Sequence, residues 1–245
     1  MSGYIRKIRA LGGALGVVAA AVVAAVVLPL SAFAVMAVMG VQPAPSLLVM
    51  LSIVLTQGVS FGGVALAYLV LRRGKVSVPL RWPSLRDLQW MVGGSALALL
   101  AMLAGGIVVT LLGLDAGAHQ MRELGFADPE IFMLLIPLSF LLIGPGEELL
   151  FRGVVQGRLR QAFGAGAAVS IAAVVFAAIH IVALTGPLSV RLTGVAVLVL
   201  PSLVFGISYE RTRNIAVPAV IHGAYNATLL ALSYYAAQAA GAGGM

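Results

Sequence analysis

Glu147-Glu148-Leu149-Leu150-Phe151-Arg152 puts two carboxylates and a guanidinium into six residues of an apolar stretch, and His180, His222 and Asn226 lie in two further apolar stretches. Carboxylate and imidazole are the side chains best suited to taking up and delivering protons. Charge at bilayer depth is costly, so ionisable groups in such a setting point by default to function. Helical spacing divides the set. Adjacent residues on a helix point about 100° apart. Glu148 and Arg152 are an i, i+4 pair in the favourable acid-before-base order and are expected to neutralise one another. That leaves Glu147 facing a cavity. His222 and Asn226 are also i, i+4, one turn apart on one face, and could grip a single small target such as a carbonyl oxygen. Phe176 precedes His180 by one turn on its own face.

The elements that must position these residues follow from composition. Sixty-one per cent of the chain is hydrophobic, 9% is charged, and the mean hydropathy is +1.08. This describes a polytopic, all-α membrane bundle with no room for a sizeable soluble domain. One integral membrane domain over 1–245 is expected. Seven apolar segments can be drawn, at 11–39, 46–71, 88–113, 131–157, 165–184, 192–209 and 214–238, within a range of six to eight helices. The first follows Arg6, Lys7 and Arg9 like a signal peptide, but its apolar run continues past Ala32-Phe33-Ala34. It is therefore expected to remain as a membrane helix.

With a cytoplasmic N-terminus, the inside loops hold Arg6, Lys7, Arg9, Arg72, Arg73, Lys75, Arg81, Arg86, Arg158, Arg160, Arg211 and Arg213, and the outside loops hold only Arg122 and Arg191. That bias predicts an outside C-terminus in the cell membrane. The net charge of +7 is accounted for by topology, and nucleic acid is not an expected partner. With no cysteine there is no disulfide or thiolate chemistry. Any metal must use histidine or carboxylate.

At 1.5 Å per residue, Glu147 is roughly 16 Å from Arg158, His180 roughly 22 Å from residue 165, and His222 and Asn226 roughly 13 and 20 Å from Arg213. The four share a layer and can meet, in a cavity expected to open toward the cytoplasmic side. Pro137 and Gly144-Pro145-Gly146 predict a kink or a fresh helical start just before Glu147. Gly12-x-x-x-Gly16 and Gly153-x-x-x-Gly157 read as helix-packing faces.

Glu-Glu-x-x-x-Arg at 147–152, Phe-x-x-x-His at 176–180 and His-x-x-x-Asn at 222–226, each on a separate membrane helix, resemble the CAAX protease and bacteriocin-processing family of intramembrane proteases, also called the Abi family. The resemblance covers about 130–235, the expected catalytic core, with no departure at a motif position. It implies hydrolysis of a peptide bond in a membrane-associated or prenylated substrate. By position, Glu147 would activate water, His180 would help hold it, and His222 with Asn226 would stabilise the oxyanion, while Glu148, Arg152 and Phe176 would support the site. The family is labelled metalloprotease but has also been read as glutamate-dependent and metal-free. No cofactor is required by this sequence. Zn2+ or another divalent metal on Glu147, His180 and His222 is conceivable, although His-Glu-x-x-His is absent.

Two other classes compete: a non-catalytic membrane scaffold or bacteriocin-immunity-type protein, and a proton-coupled transporter using Glu147 and the histidines as a relay. No inverted repeat supports the transporter. Gly58-Val59-Ser60-Phe61-Gly62 imitates a serine-hydrolase elbow, but it lies inside a membrane helix rather than at a strand-to-helix turn. An aspartyl protease is excluded because no Asp lies within a segment.

Overall fold

The computed structural model describes residues 2–72, 74 and 76–242, and it is helical, with no strand among those residues. Arg73 and Lys75, counted above among the basic loop residues, lie outside the described residues. The helices are α1 (Ser2–Val38), α2 (Pro45–Leu71), α3 (Leu85–Leu111), the short α4 (Gln120–Ala127), α5 (Glu130–Leu159), α6 (Ala165–Val182), α7 (Leu188–Thr212) and α8 (Ala216–Ala242). All except α4 are long and apolar enough to cross a membrane, which gives the expected seven spans. Helix starts carry ordinary local signals. Pro45 opens α2 at a position where its missing N–H costs nothing, and Ser84 forms a capping box with Asp87 at the start of α3.

α5 runs through the middle of the bundle. Its Leu150, Phe151, Val154 and Val155 are buried against Ala14, Val18 and Ala21 of α1, Phe61 and Ala65 of α2, and Phe176 of α6. Of the kink or fresh helical start expected before Glu147, the fresh start does not occur. The chain stays helical from Glu130 to Leu159 and absorbs its prolines in two π-helical stretches, Ser139–Ile143 and Leu149–Gln156. Proline removes a donor, and a widened turn lets a carbonyl find the next available one: Gly144 N–H donates to Ser139 O, five residues back.

Gly144 and Gly146 serve close approach instead. A Cβ on Gly144 would sit 2.6 Å from Ala219 O and 3.3 Å from Gly223 N, so α5 and α8 touch here through backbone. A Cβ on Gly146 would collide with Gln57 O of α2. The glycine pairs read as helix-packing faces behave differently from expectation. Gly12 and Gly16 face open space, and it is Gly13 that is covered, by the Arg158 guanidinium. Gly153 and Gly157 receive Val78 and Val76 of the loop after α2, not a helix.

That loop is pinned beneath the bundle. Arg81 pairs with Asp87, Asn214 Nδ2 donates to Arg81 O at 3.0 Å, and Ile215 N–H donates to Pro79 O at 2.9 Å. At the other end of the bundle the α3–α4 connection folds back onto the α6–α7 turn. Thr185 N–H donates to Ala118 O and Gln120 N–H to Ala183 O, both at 2.9 Å, around an isolated bridge between His119 and Leu184. Exposed His119 thus lies across the chain that follows His180, and its Nδ1 accepts the Met121 N–H that opens α4.

Candidate active site

The Gly144 approach brings the hexad of α5 against His222 of α8, and α6 delivers His180 from its C-terminal end. Glu147 is 3% exposed and His222 3%, while Glu148 and Arg152 are fully buried. Glu147 Oε2 lies 3.9 Å from His180 Nε2 and 3.9 Å from His222 Nε2. Three residues from three helices that a shared depth only allowed to meet do meet.

The other edge of each imidazole fixes its tautomer. His180 Nδ1 is 2.7 Å from Phe176 O; a carbonyl can only accept, so Nδ1 carries the hydrogen. His222 Nδ1 is 2.9 Å from Glu148 Oε1, and a carboxylate likewise accepts. In the neutral rings both Nε2 lone pairs therefore face the Glu147 carboxylate. Glu147 Oε2 is buried with no hydrogen-bond partner among the described residues. Converging acceptors of this kind are satisfied by a group that brings hydrogens, and water is the smallest. Two atoms 3.9 Å apart that each contact one water at about 2.8 Å subtend about 90° there, an acceptable angle. A zinc ion at about 2.1 Å from the same pairs would need about 140°, far from tetrahedral. Among the described residues no group of three or more His, Asp or Glu side chains is set to hold a metal. As placed, Glu147, His180 and His222 do not fit a zinc centre.

Glu148 does more than the neutralising role read from helical spacing. It accepts from Arg152 Nη1 at 3.0 Å and from His222 Nδ1 at 2.9 Å through the same oxygen. Neighbouring carboxylates that point differently along α5 thus address opposite edges of one imidazole. Arg152 is held in turn by α7: its Nη2 donates to Ser202 O at 2.8 Å and to Ser202 Oγ at 2.7 Å. Its guanidinium lies 4.7 Å over Phe176 and 5.3 Å over Phe205. Phe205 stacks on His222 at 4.7 Å and 17°.

Phe176 is the hub of this shell. Its ring is 4.6 Å from His180 and 5.6 Å from His222, and edge-on to Phe151 at 5.1 Å. Asn226, one turn beyond His222, is half-buried, and its amide makes no hydrogen bond among the described residues. The Ser60 hydroxyl is buried and donates to Leu55 O at 2.7 Å within a π-helical stretch, and it makes no hydrogen bond to an imidazole among the described residues.

Ser202 and Phe205 were missed from the sequence. The sequence hint was a hydroxyl directly after Pro201, which Thr193, Ser208 and Tyr209 in the same segment made unremarkable. Gln57 was also missed; its backbone carbonyl packs on Gly146, next to Glu147, and its Oε1 is buried without a partner among the described residues.

Fold and site together define a polytopic helical membrane protein with a buried cluster of carboxylates and imidazoles enclosed by its spans. Residues 129–228 match the Rce1-like family model, described as type II CAAX prenyl endopeptidase Rce1-like. The match spans every residue of the three motifs, in line with the CAAX-protease resemblance they carry. No curated protein and no solved structure matches the chain.

Proposed function

We propose that the protein is an intramembrane endopeptidase that hydrolyses a peptide bond in a membrane-associated substrate. The observation that carries this reading is the pair of 3.9 Å separations between the partnerless Glu147 carboxylate oxygen and two imidazole nitrogens whose lone pairs face it. In this reading Glu147 takes a proton from water as its oxygen attacks the scissile carbonyl carbon. It then returns that proton to the leaving amine. His180, fixed by Phe176 O, holds the water. His222 and Asn226 address the carbonyl oxygen as it gains charge. The proton that makes His222 Nε2 a donor comes from solvent before the substrate binds, separate from the one Glu147 carries, and Glu148 holds the Nδ1–H and balances the charge on the ring. Arg152 and Phe176 keep that arrangement in place. The Rce1-like match supports a protease of this kind and makes prenylated C-terminal peptides the first substrates to try.

The test is mass-spectrometric detection of fragments after purified protein in lipid discs meets a library of membrane peptides, prenylated and unprenylated, with and without chelator. Fragments whose yield is unchanged by chelator are expected. A library left intact would sink the endopeptidase reading and favour a peptide-binding scaffold.

A further inference from the structure

At the end of the bundle that carries most of the basic residues, the first turns of α1 lean against the C-terminal end of α5. A cavity of about 410 Å³ there is lined by Ile5, Arg6, Arg9, Ala10, Arg158 and Gln161. Three guanidinium groups border it and, among the described residues, no carboxylate does. Arg6 and Arg9 are three apart on one face of α1, both exposed, and neither side chain makes an ion pair or hydrogen bond among the described residues.

Arg158 is locked in place beside them. Its Nη1 donates to Tyr68 OH at 2.6 Å and its Nη2 to Arg9 O at 2.9 Å. It crosses α1 over Gly13, where any side chain would strike the guanidinium. Its Nε is buried and unpartnered among the described residues. Glu210, the acidic residue of the adjoining α7 end, is engaged by Arg160 at 3.0 Å and Gln156 at 3.2 Å.

We infer that this cavity binds a phosphate group, and that its source is the phosphodiester of an anionic membrane lipid. Guanidinium groups gathered without a counter-charge repel one another, and a phosphate oxygen set is the partner their geometry suits. Depth points to lipid. The 37 residues of α1 extend about 55 Å, against about 30 Å of hydrocarbon, so turns at its end reach the head-group layer. Ile5, 45% exposed, offers an apolar wall beside the charges for the glycerol and upper acyl chain. This site is separate from the Glu147 centre and does not depend on its reading.

The experiment is native mass spectrometry of the full chain titrated with phosphatidylglycerol or phosphatidylcholine. It compares wild type, Arg6→Gln/Arg9→Gln, and a control, Arg72→Gln/Arg86→Gln, that removes the same charge from exposed positions outside the cavity. Wild type and control should prefer phosphatidylglycerol, and the cavity variant should bind it about fivefold more weakly for each arginine removed. Equal binding of the two lipids by wild type, or equal losses in cavity variant and control, would overturn the inference. A third arm adds inorganic phosphate: failure to displace the lipid at millimolar concentration supports the lipid source, and full displacement overturns that source.

Discussion

Glu147 and Glu148 differ by one position and are bound for opposite fates. Glu148 is committed twice, to Arg152 and to His222, whereas Glu147 has an oxygen with no partner among the described residues and two imidazoles at 3.9 Å. Glu148→Gln keeps the volume but weakens the hold on His222 Nδ1. It should reduce the turnover rate by about 10²-fold while leaving the Michaelis constant close to wild type. A purely structural carboxylate would instead lower folded yield with normal turnover per folded molecule, which steady-state kinetics on size-selected protein would distinguish. Arg152→Ala is predicted to do the reverse of Glu148→Gln. It strands a fully buried carboxylate, a loss of about 3–5 kcal/mol, so detergent melting should register it before activity does. A well-folded, inactive Arg152→Ala protein would place Arg152 in the reaction itself. The motif residues were legible because costly side chains at bilayer depth stand out. The sharing of Glu148, the Ser202 anchor and the Phe205 stack were not, because each depends on which faces of separate helices meet.

Most span ends could be read to within a few residues, as runs of apolar residues long enough to cross a bilayer announce themselves: α5 was expected at 131–157 and runs Glu130–Leu159, whereas α1, expected from 11, begins at Ser2 because its basic first turns are helical too. The internal shape of α5 could not be read that way. Proline and glycine next to Glu147 pointed to a break, but the neighbours of those residues turn the same sequence into widened turns and two backbone-close crossings. Gly144 then becomes the residue that sets the distance between Glu148 and His222. Gly144→Ala must push Ala219 O and Gly223 N away, and overpacking of this kind costs about 1–3 kcal/mol. The variant is expected to melt earlier and to lose cleavage more than its melting shift explains. Gly12→Ala, facing open space, should change neither. If both substitutions behave alike in paired melting and cleavage measurements, the α5–α8 crossing does not govern the site.

The seven spans and the uneven distribution of basic residues define a molecule with one strongly basic end, where α1 begins and the α2–α3 loop is tied to the α7–α8 turn. From the positive-inside bias we propose that this end lies in the cytoplasm. The chain has no cysteine, so single-cysteine labelling tests this cleanly. Ser77→Cys should react with an impermeant maleimide only after the cells are opened, and Gln42→Cys should react in intact cells; the opposite pattern would invert the orientation. Whether the carboxylate held between two imidazoles inside this bundle is the base is decided by comparing wild type with Glu147→Gln. Both proteins, matched for folded amount in lipid discs, are given the same cleavable membrane peptide, and fragments are counted by mass spectrometry. Glu147→Gln is expected to fold as wild type does and to cleave about 10²–10⁴-fold more slowly, the range for loss of a general base. Equal cleavage by the two proteins would contradict that role.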